Sequence, residues 1–268
     1  MTRLSIAGPA CTLTLASLLA PSCASIQDKD AAWPEDSTGK YQLGVSTGWA
    51  FVKADVKLEN GTGPLANPAL GGNPEGASTT DLEPVFGLGL RLMYYVSNNW
   101  AVGGLIEHRI FDPDPTRPLN AEVDIDSFGT NHFILDVRYV ADPMGPDKRW
   151  RPYAAVQFGY VPGIEADGTA DYGDAFAGVG FPGTVEDITL NGDEFFTLGG
   201  LVGASYLLRD GLSLDLSAFY EVALDPTEDT LVLNPLPSNV PVLGTQSTYN
   251  GSLEERGLYL SVGLSWYF

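Results

Sequence analysis

The chain has 268 residues, of which 44% are hydrophobic and only 18% are charged. Its 14 basic residues stand against 34 acidic ones, so the formal net charge is −20. A nucleic-acid-binding surface needs clustered Lys and Arg, and no cluster occurs, which excludes nucleic acid as a partner. Both cysteines, Cys11 and Cys23, lie in the first 25 residues, so the mature chain is expected to contain no disulfide and no cysteine-bound metal.

Residues 1–25 predict a signal peptide. Arg3 precedes an apolar stretch of small residues, and Ser22-Cys23-Ala24 supplies the small side chains that a signal peptidase requires, so cleavage is expected after Ala24 or Ser25. Two alternatives remain open at this point. The segment could be a membrane anchor, or the run that ends at Cys23, which resembles a lipobox, could mark a lipoprotein acylated at that cysteine.

Residues 26–40 contain Pro, Ser, Thr and Gly and predict a short unstructured lead-in on the periplasmic side. Beyond residue 25 no run of about 18 consecutive apolar residues exists, so no transmembrane helix is predicted. Any membrane-spanning segment of this chain therefore has to be a strand.

Alternation of apolar and polar residues with a period of two predicts the strands. The pattern is clearest in the last twelve residues, where each even position is large and apolar while the odd positions are mostly Gly or Ser. A length of roughly 9–11 residues suits a tilted membrane strand. Eight segments show the pattern: 41–52, 84–96, 100–111, 128–140, 150–161, 195–208, 212–224 and 257–268.

The links between these segments alternate in length. Short links rich in turn formers lie at 97–99, 143–148 and 209–211. The long links are 57–81, 112–127, 162–193 and 225–256. Short periplasmic turns and long outer loops are typical of outer-membrane barrels, so residues 41–268 predict an all-β, eight-stranded antiparallel up-and-down transmembrane β-barrel with both termini in the periplasm.

Aromatic residues on the apolar face collect near one end of the predicted strands. An interfacial girdle at the periplasmic side explains their common level better than the core of a soluble barrel does. The predicted girdle residues are Tyr41, Tyr94, Trp100, Tyr139, Trp150, Tyr206 and Trp266.

Charged residues on the opposite, polar face would point into the lumen. Eight strands enclose an interior only wide enough for side chains or one small ligand, and buried charges need partners. Four basic and four acidic residues therefore predict an internal salt-bridge network that is either a structural plug or a polar constriction for a small solute. The eight residues are Arg91, Glu107, Arg109, Asp136, Arg138, Arg151, Asp215 and Glu221. Leu105, Ile134, Leu201 and Phe219 are also expected to face inward, so an apolar upper chamber remains possible.

The long link 162–193 is acidic and contains no Lys or Arg, with Glu165, Asp167, Asp171, Asp174, Glu186, Asp187 and Asp193. Weak, nonspecific Ca²⁺ or Mg²⁺ association is expected there, although a simple solvated loop is the favoured interpretation. His108 and His132 lie in different strands without metal-ligand spacing, and no nucleophile motif is present. We therefore expect no catalytic residues, no metal site and no cofactor.

The C-terminal sequence GLYLSVGLSWYF, which ends in Phe268, resembles the last strand of Gram-negative outer-membrane proteins. That resemblance implies recognition by the barrel-assembly machinery and an outer-membrane lipid environment. Residues 40–268 further resemble the small barrels of the OmpA/OmpX and OmpW types. The OmpW type implies a largely apolar lumen for small hydrophobic molecules, from which the lumen charges of this chain depart.

Two readings from other classes compete with the membrane barrel. A secreted lipocalin-like barrel would bind a small ligand on its apolar face, but this apolar face is too bulky to pack inside eight strands. An enzyme on a barrel scaffold would need a nucleophile beside His132, and no serine is clearly placed there.

Overall fold

The structure, a computed structural model, describes residues 31–63, 66–70, 73–117, 122–171, 185–224, 227–233 and 247–268. The predicted signal peptide and the cysteines lie outside the described residues. The described strands are β1 (Tyr41–Thr62), β2 (Gly76–Tyr95), β3 (Trp100–Phe111), β4 (Glu122–Ile125), β5 (Phe128–Val140), β6 (Trp150–Val161), β7 (Ile164–Asp171), β8 (Val185–Gly192), β9 (Phe195–Arg209), β10 (Leu212–Ala223), β11 (Thr227–Leu233) and β12 (Ser247–Tyr267).

Eight of these strands form a closed antiparallel barrel in the order β1-β2-β3-β5-β6-β9-β10-β12, and pairing of β1 with β12 completes the ring. Each of the eight predicted segments coincides with one of these strands to within one residue at its end or lies inside it, so the predicted fold class is confirmed. The short turns β2–β3, β5–β6 and β9–β10 lie at one end, together with the start of β1 and the end of β12. We call this the turn end, and the opposite end the extended end.

The outer wall of the barrel is apolar. Along β1, Leu43, Val45 and Phe51 are exposed, whereas Gln42 and Ala50 on the other face are buried. In β6, Trp150 and Tyr160 are separated by ten residues and share one face. At about 3.3 Å per residue and a tilt of roughly 40°, they mark a band about 25 Å tall, which matches the apolar band of membrane barrels.

At the extended end the structure differs from the predicted long loops. The links 57–81 and 225–256 contain the continuations of β1, β2 and β12, and four further strands lie in the links: β4, β7, β8 and β11. Strand β11 pairs with β12, and β8, β7 and β4 follow in order. We call this second tier the extension, consisting of β4, β7, β8, β11 and the upper parts of β12, β1 and β2.

The polarity of the strands reverses where the extension begins. On β1 the outward positions change from exposed apolar residues to the exposed Lys53, Lys57 and Glu59, while Leu58 is buried inside. The alternation therefore continues, but apolar residues now face in and charged residues face out. The predicted segment 41–52 is therefore ten residues shorter than β1, because the prediction required an apolar outer face.

A register shift and a short connecting segment complete the extension. Ala50 pairs with Val85 but Val52 pairs with Leu82, so β2 holds one extra residue at a bulge beside Pro84, which has no N–H for the ladder. On the far side, a hydroxyl hydrogen bond joins Ser78 to Thr116, and Thr116 forms a β-bridge with Val123 of β4. These contacts link the two edges of the extension.

The extension has its own apolar interior. Its buried residues include Leu58, Val123, Ile164, Ala166, Ala170, Ile188 and Tyr249. Tyr249 donates a hydrogen bond of 3.0 Å to the Asn73 carbonyl in the β1–β2 connection, and burial raises the pKa of its hydroxyl to about 12. Substitution of Gly61 would drive a Cβ into the Tyr249 ring. In the part of the chain that is described, no helix has the length and apolar character needed to cross a membrane.

The lead-in is ordered against the turn end, contrary to the prediction of an unstructured segment. From residue 31 onward it lies across the mouth of the barrel, where Ala31, Trp33 and Ser37 are buried. The indole Nε1 of Trp33 donates to the Arg149 carbonyl at 2.9 Å. The segment has no helix or strand, but its backbone and hydroxyl groups still form hydrogen bonds with the barrel.

Candidate functional site: the charged lumen

All eight charged residues predicted to line the lumen are buried inside the barrel. They lie at increasing distance from the turn end in three layers. The lower layer comprises Arg151 and Asp215, and the middle layer comprises Arg91, Asp136 and Arg138. The upper layer comprises Glu107, Arg109 and Glu221, and His132 lies beside Glu221.

The upper layer is built around Arg109. Its guanidinium lies 2.8 Å from Glu107 Oε2 and 3.0 Å from Glu221 Oε2, and stacks 4.1 Å from the ring centre of Tyr259. His132 Nδ1 lies 3.8 Å from Glu221 Oε1. Two carboxylates sharing one arginine in a buried space make a tightly held cluster, because charge-assisted hydrogen bonds are strong there and loss of the arginine would leave buried charge unpaired.

The middle layer places two arginines around one carboxylate. Arg138 donates to Asp136 Oδ2 at 2.9 Å, and Arg91 Nε lies 3.8 Å from the same oxygen. Gln157 also donates to this oxygen, at 3.3 Å. The guanidinium of Arg138 lies 4.2 Å above the Tyr153 ring, so the layer combines ion pairs with cation–π contact.

The lower layer differs from the predicted network, because neither of its charges forms an ion pair with a described residue. Asp215 accepts hydrogen bonds from Ser265, Ser213 and Gln42. Arg151 donates to Ser37 Oγ at 3.0 Å and to the Ala141 carbonyl at 3.3 Å. The opposite charges of Arg151 and Asp215 therefore do not pair, because each group is bound by neutral partners instead.

Large and small residues occupy opposite walls of the lumen. The row Gly87–Gly48–Ser261–Ser217–Gly203 crosses five neighbouring strands with small residues only. Tyr153 on the adjacent strand β6 pairs with Gly203, and its side chain lies over that glycine and donates to the Leu216 carbonyl on β10, so a Cβ on Gly203 would collide with its ring. The long side chains fill the volume that the small wall leaves, so the lumen is packed at mid-height.

The four predicted inward apolar residues are also buried. Leu201 and Phe219 belong to one apolar cluster. Leu105 pairs with Arg91 on one side and with Ile134 on the other. Phe219 stacks on Tyr259 with ring centres 4.5 Å apart. These residues pack against the network, so the described interior has no separate apolar chamber at this level.

The predicted girdle residues lie together near the turn end. Three cross-strand aromatic contacts join Tyr41 to Tyr94, Trp100 to Tyr139 and Trp150 to Tyr206, at 5.1, 5.4 and 4.8 Å. Trp266 is exposed on the neighbouring strand, and Phe268 stacks on Tyr41. Rings at one level on the outer wall suit a membrane interface.

The described residues of the acidic link, which was predicted to be a loop, lie mostly in β7 and β8. Glu165, Asp167 and Asp171 on β7 and Asp193 after β8 are exposed. Asp174 lies outside the described residues, and Glu186 and Asp187 are in β8. Among the residues that are described, no group of three or more His, Cys, Asp or Glu side chains could hold a metal ion.

Sequence reasoning missed two kinds of lumen residue. Tyr153 and Gln157 carry contacts of the middle layer, and their inward register on β6 could have identified them. Trp33 and Ser37 close the turn end but lie before the first strand, where no periodic signal exists. Their positions follow only from the folded barrel.

A closed barrel with an apolar outer wall, an aromatic girdle and a packed polar interior defines the class of small outer-membrane β-barrels. The solved structure of the outer membrane protein OprG from Pseudomonas aeruginosa is similar, with a TM-score of 0.50 and 17% identity over 87% of this chain and 97% of that chain. The likeness confirms the fold predicted from the sequence.

Two further solved structures are similar at lower TM-scores. The outer membrane protein AlkL scores 0.45 at 17% identity and covers 90% of this chain and 96% of that chain. The outer membrane protease OmpT from Escherichia coli scores 0.44 at 10% identity and covers 90% and 100%. No protein-family model matches the chain, and no curated protein matches it.

Proposed function

We propose that the chain is a bacterial outer-membrane protein whose barrel is closed to solutes and anchors the extension in the membrane. The packed mid-height lumen carries this proposal. Arg138, Tyr153 and Asp136 fill the space between the two walls, and each is buried. A channel for solutes needs continuous water-filled space, so these buried side chains support a closed lumen.

The lengths of the connections between strands support one orientation of the barrel in the membrane. The turn end would face the periplasm and the extension would face outward, as short turns and long outer segments do in this class. Lipid would cover the apolar band, and the assembly machinery would read the C-terminal strand that ends in Phe268. The exposed acidic residues of β7 would associate only weakly with Ca²⁺ or Mg²⁺. In this proposal the lumen network is structural and the chain has no catalytic role.

A second candidate function is passage of small apolar molecules through the extended end. It is favoured by the apolar interior of the extension, in which Leu58, Ile188 and Tyr249 are buried. The charged layers below would stop such a molecule, because an apolar solute cannot replace the hydrogen bonds of the network.

Conductance in planar bilayers tests the main proposal. The purified chain, shown to be folded by a shift in gel mobility on boiling, is expected to give no discrete conductance steps. Arg138→Ser combined with Asp136→Ser removes one charge of each sign and is the matched comparison. Discrete steps from the unaltered protein would contradict the closed barrel and favour a pore.

A further inference from the structure

The turn-end mouth is covered by the lead-in rather than by the barrel itself. Gln42, Arg151 and Ser213 are each the second residue of their strand, a position that an open mouth would leave wet, yet all three are almost completely buried. Strand ends at the mouth of a small barrel have no neighbour on the outside, so another segment must exclude the water.

The covering segment contacts all three short turns. Ser37 N donates to Asn98 Oδ1 at 2.6 Å in the β2–β3 turn, and Trp33 Nε1 donates to the Arg149 carbonyl that ends the β5–β6 turn. Ala32 N donates to Asp210 Oδ1 at 3.1 Å in the β9–β10 turn. The segment is therefore fastened around the whole mouth and not to one side of it.

Two side chains of the segment enter the mouth. Trp33 is 7% exposed and meets the Tyr267 ring edge-on at 5.3 Å, beside the buried Leu207. Ser37 accepts the hydrogen bond from Arg151, whose guanidinium has no carboxylate partner among the described residues. Besides these two side chains, the segment is held by the hydrogen bonds named above and by one of 2.8 Å from Gly39 N to the Tyr95 carbonyl of β2. Residues 31–39 form no strand of the sheet.

We propose that Ala31–Gly39 is a removable plug of the turn-end mouth, held by Trp33 and Ser37 and able to leave while the barrel stays folded. Its departure admits water and small polar solutes to the lower layer and exposes Arg151. The middle and upper layers remain closed, so the plug controls access to a vestibule and not passage through the membrane.

Cysteine accessibility tests this proposal in the full chain purified from membranes. No cysteine follows residue 23, so Ser213→Cys reports on the lower layer and Ser261→Cys on the wall beyond it. With the native lead-in, a charged methanethiosulfonate reagent is expected to modify both cysteines slowly. Adding Trp33→Ala and Ser37→Gly should speed modification of Ser213→Cys at least tenfold and leave Ser261→Cys slow.

Glu35→Ala is the matched control, because this side chain of the same segment is exposed and should leave the rate unchanged. The boiling-dependent gel shift checks folding, and Ser205→Cys replaces Ser213→Cys if the latter does not fold. Fast modification with the native lead-in, or no acceleration in the double variant, would overturn the plug. Hydrogen exchange at Ser37 and Gly39 gives a second measurement, with slow exchange lost in the double variant.

The outcomes for the two proposals are separable. Fast modification of Ser213→Cys with silent bilayers would overturn the plug and support the closed barrel. Slow modification with discrete conductance steps would overturn the closed barrel and support a covered mouth.

Discussion

Arg109 shows how a single residue can hold the inside of the barrel together. Its guanidinium lies within 3.0 Å of both Glu107 and Glu221, and all three side chains are buried. Burying a carboxylate without its partner costs several kcal/mol, whereas an exposed pair such as Arg117–Glu122 is largely screened by water.

Arg109→Leu is therefore expected to destabilise the barrel by about 3–5 kcal/mol, since two carboxylates then remain buried without their cation. Urea unfolding in lipid vesicles, followed by the folded gel band, measures the change. Arg117→Leu, which removes the exposed pair, should leave the midpoint almost unchanged. Equal midpoints for the two variants would show that the upper layer does not stabilise the fold.

Tyr249 makes the extension sensitive to alkaline pH. Its pKa is about 12 in the folded chain against 10.0 for an ordinary tyrosine. Below pH 10 both the folded and the unfolded forms keep the proton. Between pH 10 and 12 only the unfolded form loses it, so folding stability of the extension should fall as pH rises through that window.

Absorbance at 295 nm during a pH titration, taken as the difference between the native chain and Tyr249→Phe, isolates this hydroxyl. We expect a midpoint near 12, and in Tyr249→Phe the added loss of stability between pH 10 and 12 should be reduced. A difference midpoint near 10 would mean that Tyr249 is accessible to water.

At the scale of elements, the barrel and the extension are held together differently. Strands β6 and β9 pair directly from Trp150–Tyr206 to Val161–Phe195, without help from β7 or β8. The β7–β8 hairpin pairs with β4 on one side and with β11 on the other, and β11 in turn pairs with β12. The barrel should therefore fold without the hairpin.

Deleting residues 164–192 leaves Pro162, Gly163, Asp193 and Glu194 as a turn between β6 and β9. Gly163 already has a positive φ of 100°, which suits such a turn. The variant is expected to keep its boiling-dependent gel shift, while proteases should cut β4 and β11 faster than in the native chain. Loss of the gel shift would show that barrel folding depends on the extension.

At the scale of the whole molecule, an apolar band about 25 Å tall separates two polar ends that differ in size. The larger end carries the acidic outer face of β7, and the smaller carries only turns and the lead-in. In the proposed orientation the larger end lies outside the cell.

Thr189→Cys on β8 and Asp147→Cys in the β5–β6 turn test this orientation in intact cells. A membrane-impermeant thiol reagent should modify Thr189→Cys in whole cells and Asp147→Cys only after the outer membrane is opened. The reverse order of modification would require the opposite orientation.

The sequence by itself determined the eight barrel strands, the outward aromatic residues and the inward charges. These follow from a period of two and from the polarity of alternate positions, which are local properties of the chain. The sequence pattern does not predict β1 beyond Val52, because the period of two continues there with the apolar face turned inward instead of outward.

Only the tertiary structure decided which charges pair, how the lead-in is placed and how the extension closes. Arg151 meets Ser37, Arg109 meets Glu221, and Ser78 meets Thr116 across long distances in the chain. Such contacts depend on the stagger and closure of the strands, which bring distant residues to one level. Strand periodicity fixes the face of a residue, but closure of the barrel fixes its neighbours.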